Sequence, residues 1–239
     1  MLKITVWNEN LPHEEAADVR KAYPNGIAEQ LAAFLREEKF QVRCAYLSEK
    51  DDGLPEEILK ETDVLFWWGH GKHHLVSDET VRRVVGHVQR GMGVIFLHSA
   101  HLAKPFLALT GTSCTLQWRE AAEKEIVWAV NPAHPIAADL PPHFTIEHEE
   151  MYGEPFDIPE PDELVFIGWF KGGNVFRSGA AYRRGRGRMF YFQPGHETYP
   201  VYFQTEVKRI LCNAARWAAP AARIDRFDCP NAKDSVEKL

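Results

Sequence analysis

The sequence predicts an α/β protein built on a doubly wound parallel sheet, and three observations carry that prediction. Short apolar runs alternate with segments of helical period. The strongest runs, Val64–Trp68 and residues 94–97, are unbroken, as strands buried on both faces of a parallel sheet are. Each of them stops abruptly in polar, ionisable residues, and ligands of open α/β sheets bind beyond the carboxyl ends of the strands.

In order along the chain, residues 4–7 begin the sheet and run into the polar strand end Asn8-Glu9-Asn10. Ile27, Leu31, Phe34 and Leu35 recur at helical spacing, which predicts an amphipathic helix over residues 27–38. Gln41–Tyr46 is a second short strand, Pro55 starts a short helix, and Val64–Trp68 is broken by Gly69-His70-Gly71-Lys72-His73-His74. Ser77 is placed to cap a helix with Asp78 and Glu79 in its first turn and Val81, Val84, Val85 and Val88 along one stripe. Gly91-Met92-Gly93 then turns the chain into the strand 94–97, which ends in His98-Ser99-Ala100-His101.

Beyond His101 the pattern loosens. A short helix is expected over 104–109, strands over 125–130, 164–170 and 189–193, and a last helix marked by Phe203, Val207, Ile210, Leu211, Ala214 and Trp217. Phe144-Thr145-Ile146 leads into an acidic stretch, Glu147 to Glu154. Gly172-Gly173-Asn174 and Arg183-Arg184-Gly185-Arg186-Gly187 look like turns between the later strands. There is no internal repeat. The reading is one domain, 1–219, followed by a polar tail, 220–239.

Composition sets bounds on function. With 45% hydrophobic and 26% charged residues the chain is an ordinary globular one. A formal net charge of -6 opposes nucleic-acid binding, which needs a basic footprint. No segment approaches the roughly 18 consecutive apolar residues of a membrane span, so no membrane partner is expected. The first residues read as a strand rather than a signal peptide. Cys44, Cys114, Cys212 and Cys229 are scattered without metal or disulfide spacing, and the expected setting is cytoplasmic. Nothing marks an oligomer interface, and a homo-oligomer stays open.

The chemistry-bearing residues cluster at three strand ends: His70 with His73, His98 with His101, and His196 beside Glu197. The spacing His-x-x-His occurs in the first two. On a helical turn such a pair shares a face and can bind one metal; on an irregular loop the spacing fixes nothing. Glu150 adds a carboxylate, giving the mixed nitrogen and oxygen ligand set that suits zinc or another divalent transition metal. The plain alternative is that histidines are common surface and structural residues, and His13, His87, His134, His143 and His148 are assigned no role.

Other constellations are weaker. Ser99 lacks the GxSxG motif of a serine nucleophile, and a structural hydroxyl is preferred. Cys114 follows a turn rather than a strand and reads as an incidental thiol. Trp67, Trp68, Trp118, Tyr152, Trp169 and Tyr199 lie near polar loops, where aromatic faces suit sugar rings, although such aromatics more often build the core. The arginines between 183 and 188 read as a solvated hairpin. Without GxGxxG after the first strand or a Walker sequence, no nucleotide cofactor is expected.

At Trp67-Trp68-Gly69-His70, the stretch Gly91 to Ser99, Glu150-Met151-Tyr152-Gly153-Glu154 and the stretch Arg188 to Glu197, the chain resembles the ThuA family, named for trehalose utilisation. The resemblance runs from Ile4 to about Ala219. It implies a flavodoxin-like three-layer α/β/α sandwich with a mostly parallel sheet, of the class I glutamine amidotransferase-like type, and a role in trehalose and disaccharide metabolism. Amidotransferases of that type place a nucleophilic cysteine in the tight turn after the strand corresponding to 94–97. Here that turn reads His98-Ser99-Ala100, so glutamine amidotransferase chemistry is not expected.

The function implied is modification of trehalose or a keto-derivative, with a small-molecule sugar as the partner. His98, His196, Glu150 and Tyr152 are the expected catalytic residues. His70, His98, Glu150 and His196 are the expected ligands of a divalent metal, zinc foremost. Trp68, His73, His101 and Glu197 are the expected substrate-binding residues. The alternative is a non-catalytic sugar-binding or regulatory protein on the same scaffold.

Overall fold

The computed structural model describes residues 1–10 and 16–237; His13 lies outside them. In chain order the elements are β1 (Lys3–Asn8), α1 (Ala17–Ala22), α2 (Ile27–Glu37), β2 (Gln41–Tyr46), α3 (Glu56–Glu61), β3 (Val64–Trp68), α4 (Asp78–Gln89), β4 (Gly93–Leu97), α5 (Lys104–Thr110), β5 (Gln117–Ala129), β6 (His143–Gly153), β7 (Glu163–Phe170), β8 (Val175–Arg184), β9 (Gly187–Phe192) and α6 (Thr205–Ala218). The Ser77 side chain caps α4 as expected, accepting the Thr80 N–H at 3.2 Å.

Among the described residues, nine strands form one sheet in the order β2-β1-β3-β4-β9-β8-β7-β5-β6. The expectation of a mostly parallel sheet needs correction. β2, β1, β3, β4 and β9 pair in parallel, whereas β9, β8, β7, β5 and β6 pair antiparallel. The parallel half is the part whose strands are buried on both faces, with every residue of β3 and β4 buried. Continuous apolar runs are therefore what it requires.

The antiparallel half escapes that pattern. β5 is 13 residues long rather than confined to 125–130, because its first six residues are exposed and carry Arg and Glu. The acidic stretch forms most of β6, with Glu147 and His148 exposed and Glu149 and Glu150 buried. β8 joins the two turns expected near 172 and 185.

Two apolar clusters cover opposite faces of the sheet. Ile4, Val6, Phe66, Trp68, Ile95 and Leu97 pack with residues of α2 and α6. Trp7, Leu65, Trp67, Val94 and Phe96 pack on the other face with residues of α3, α4 and α5. Alternate residues of each central strand thus enter different cores. No helix among the described residues is long and apolar enough to cross a membrane. Past Ala218 the chain holds no further helix or strand among the described residues, but its beginning is docked: the Arg223 guanidinium donates to the carbonyls of Leu59, Lys60 and Thr62.

Gly93 is where β4 and the end of α6 approach most closely. A Cβ there would lie 2.3 Å from Ala218 O and 2.8 Å from Ala218 Cβ, so neither backbone has room to yield. Gly93→Ala is expected to cost about 2–3 kcal/mol by overpacking, and to lower the melting temperature by about 5–10 °C. Thermal unfolding followed by circular dichroism checks this, and an unchanged melting temperature would refute it.

Candidate functional site

The carboxyl ends of β3, β4 and β9 converge on one crevice, and β5 and β6 reach over it. His98, the first residue after β4, has a φ of 51°, a left-handed conformation that costs a non-glycine residue energy. The surroundings fix it there. Its backbone carbonyl accepts the Tyr191 hydroxyl at 2.9 Å, and its ring Nδ1 lies 2.9 Å from the Gln193 carbonyl. A carbonyl only accepts, so Nδ1 carries the proton and Nε2 presents a lone pair.

That lone pair faces Glu150 Oε2 at 3.0 Å. The oxygen is buried and has no hydrogen-bond partner. The Tyr152 hydroxyl, 3.4 Å from Nε2, has one proton to offer two acceptors. Two acceptors held face to face in a buried place require a proton or a cation between them. Burial favours the neutral forms: it pushes His98 down to about 4, with His70 acting in the same direction, and raises Glu150.

His196 completes the group. One ligand atom from each of His98, Glu150 and His196 falls within 4.8 Å of the others, and all three residues are buried. His196 Nδ1 lies 2.8 Å from the Thr198 hydroxyl, while Nε2 sits 3.5 Å from Glu120 Oε2 and 3.6 Å from Glu197 Oε2. The Thr198 N–H donates to Nδ1 at 3.3 Å, so Nδ1 accepts and Nε2 carries the proton toward Glu120 and Glu197. Ligation through Nε2 would move that proton to Nδ1, where the Thr198 hydroxyl can accept it. Two imidazoles and one carboxylate are a donor set that fits zinc, iron or manganese, and the partnerless Glu150 oxygen is consistent with a ligating role.

Glu149, next to Glu150, points the other way and serves as the anchor. Its carboxylate is fully buried and accepts the backbone N–H groups of Glu150 at 2.9 Å, Gly195 at 2.7 Å and His196 at 3.2 Å. Trp68 Nε1 donates to the Gly195 carbonyl at 3.2 Å, so the turn carrying His196 is held from both sides.

On the β3 side Glu9 does a parallel job, accepting the N–H groups of His70, Gly71 and Lys72 at 2.6, 2.6 and 3.1 Å. The Ser99 hydroxyl donates to Gly69 O at 2.9 Å and lies 3.0 Å from His70 Nδ1. With its single proton committed to the carbonyl, Ser99 accepts the Nδ1 proton of His70 and is a structural hydroxyl.

A cavity of about 500 Å³ opens over this group. His70, Ser99, His101, Glu150, Tyr152 and His196 line its inner part. His98 is fully buried behind it. Nδ1 of His101 donates to the Cys114 carbonyl at 2.8 Å, and burial pushes its pKa down to about 4, so it faces the cavity neutral.

Several expected roles need correction. His70 stands beside the three-residue group rather than within it, its ring 6.3 Å from that of His98 and 5.8 Å from that of His196. Trp68 is fully buried beneath the site and offers no surface to a sugar. His73 does not line the cavity, and Glu197 lies buried between His70 and His196, 3.6 Å from each, instead of on the cavity wall. Of the histidines assigned no role, His87, His134, His143 and His148 all lie away from the cavity. Sequence reasoning missed Glu9, Glu120 and Glu149, whose importance lies in backbone groups or side chains distant in sequence.

A second buried carboxyl lies behind the site. Glu125 accepts the Ser178 hydroxyl at 3.0 Å through Oε1, its Oε2 has no partner, and burial pushes its pKa up to about 8. The native protein therefore keeps a proton that the unfolded chain has lost between about pH 4.5 and 8. Stability falls as pH rises through that window, by up to about 1.4 kcal/mol per unit. Glu125→Gln is expected to remove this group's share of the fall, the buried Glu149 keeping its own, so that the variant matches the wild type near pH 5 and exceeds it near pH 8. Urea midpoints across the range test this, and identical slopes for the two proteins would contradict it.

Fold and site together define an α/β protein with a mixed nine-stranded sheet and a histidine–carboxylate crevice at its strand ends. The ThuA family model, described as trehalose utilisation, matches residues 3–218, and the chain belongs to the ThuA family. Trehalose utilisation is thus its role at the family level.

Among solved structures, a protein of Bacteroides uniformis described as ThuA-like shares 18% identity at a TM-score of 0.65, covering 91% of each chain. Another ThuA-like protein, from Parabacteroides merdae, shares 14% identity at a TM-score of 0.66, covering 95% of this chain and 92% of the other. A cytoplasmic protein of Salmonella typhimurium shares 13% identity at a TM-score of 0.65, covering 92% of this chain and 100% of the other. These likenesses are of fold. No curated protein matches the sequence.

Proposed function

We propose that this protein is a sugar-modifying enzyme of disaccharide utilisation that acts on trehalose or a keto-derivative of it at a divalent metal held by His98, Glu150 and His196. The observation that carries the reading is the buried contact of His98 Nε2 with Glu150 Oε2 at 3.0 Å, two acceptors with His196 close by and a cavity in front. Zinc is the first candidate, with iron or manganese compatible with the same donors. The bound metal would polarise a carbonyl or hydroxyl oxygen of the sugar.

The chain's own groups supply the rest. The Gln193 carbonyl fixes the ligating tautomer of His98. His70, held by Ser99 at Nδ1, lines the cavity, and neutral His101 offers an acceptor for sugar hydroxyls. Tyr152, its hydroxyl kept protonated by burial, donates a hydrogen bond beside the metal ligands. The concentration of ionisable groups in one crevice favours catalysis over simple binding.

The test is metal content by mass spectrometry on untagged protein purified without chelator, together with product analysis after incubation with trehalose and its oxidised derivative. Near-stoichiometric metal and conversion of one of these sugars support the reading. Metal-free, correctly folded wild type sinks the metal. Binding without conversion favours the non-catalytic sugar-binding alternative.

A further inference from the structure

The cavity has a second, apolar end that the chemistry above does not use. Along β5 successive side chains alternate across the sheet, so Trp118 and Glu120, with Leu116 just before the strand, share one side, and all three line the cavity. Trp118 lies opposite Tyr152 in the β5–β6 register, which puts its indole on the same side as the phenol beside His98. Leu102 joins them at the rim. Trp118 is 65% exposed and Leu102 41% exposed, in a protein whose other cavity aromatic, Tyr152, is buried. Glu120 marks the boundary between the two ends: one oxygen lies 3.5 Å from His196 Nε2 and the other accepts the Tyr199 hydroxyl.

We infer that Trp118, Leu116 and Leu102 form a subsite for the second, non-reacting ring of an uncharged disaccharide. This rests on the proposed sugar chemistry at the metal end. The space is sufficient: about 500 Å³ is in the range of small-molecule sites and more than one six-membered ring fills. An exposed indole beside two leucines offers a flat apolar wall to the C–H face of a pyranose, while Glu120 accepts its hydroxyls.

The charge pattern decides between neutral and phosphorylated sugars. No Lys or Arg lines the cavity among the described residues, whereas Glu120 and Glu150 do. A phosphate on the second ring would meet carboxylates and find no cation from the chain, which selects against sugar phosphates.

The experiment is titration calorimetry of the wild type, Trp118→Ala and Trp118→Phe with trehalose, glucose and trehalose 6-phosphate, with metal content and size-exclusion profile recorded for each protein. The wild type is expected to bind trehalose at least about tenfold more tightly than glucose or the phosphate. Trp118→Ala should lose about tenfold for trehalose and nothing for glucose, Trp118→Phe should recover most of the loss, and metal content should stay that of the wild type. The inference is overturned by no measurable trehalose binding, equal losses for both sugars, preference for the phosphate, or a change confined to oligomeric state, which would assign the indole to a second copy of the chain. Metal-free wild type with the sugar preference intact would sink the metal reading and leave the subsite standing.

Discussion

With the proposed metal at His98, Glu150 and His196, replacing His98 by alanine is expected to strip that metal and abolish turnover of the proposed sugar substrate. The ring supplies the proposed ligand atom whose tautomer is set by a main-chain carbonyl, and its loss leaves Glu150 facing an empty buried space. Removing an outer-shell partner from a metal centre typically weakens binding by about 10–100-fold. Removing a ligand should exceed the upper end of that range. Glu150→Gln, which keeps the shape and removes the charge, is expected to give the same loss with less disturbance of packing. Chelator competition measures both variants, and thermal melts confirm that they remain folded. Metal retained at wild-type affinity in either variant would show that the centre lies elsewhere.

Glu149→Ala is expected to produce the largest loss of stability. Three buried backbone N–H groups, those of Glu150, Gly195 and His196, would lose their acceptor in one step. At about 1–3 kcal/mol for each unsatisfied buried donor, and allowing for relaxation and water entry, the total is of order 3–5 kcal/mol. The melting temperature should fall by about 10 °C or more. Glu149→Gln keeps one carbonyl oxygen but turns an amide nitrogen toward the donors, and should fall between wild type and alanine. Affinity for the proposed metal should follow the same order, although Glu149 is not one of the three clustered residues. An alanine variant that melts within about 1 °C of wild type would show that the anchor is dispensable.

How far these features could be read from the sequence depends on what buries each residue. β3 was expected at Val64–Trp68 and is found there residue for residue, because a strand covered on both faces must be apolar throughout. β6 offers no such regularity. Glu147 to Glu150 are similar carboxylates and a histidine in sequence, yet Glu147 and His148 face solvent, Glu149 anchors main-chain N–H groups, and Glu150 meets His98. Only the partner strands distinguish them.

The strand-end rule brought forward His98 and His196, and the structure sets them together with Glu150. Trp68 was the tryptophan expected against the sugar, and the parallel sheet buries it; Trp118, named only among the aromatics near polar loops, is exposed because β5 runs on past residue 125 toward Gln117.

β6 is the last strand of the sheet, four places beyond β9 in the pairing order, yet its Glu150 touches the histidine that follows β4 at the centre. That contact needs curvature between β9 and β6, and the register shifts within the β5–β6 and β7–β8 ladders are where such ladders bend. The site is therefore a clasp between the middle and the rim of one sheet, and it closes only when every intervening strand is in place. During folding its contacts belong to the last and most distant closures rather than to any local nucleus. In the native state, fraying that begins at the outermost strand opens the clasp first, while the parallel half remains folded, and the proposed ion would leave by that route.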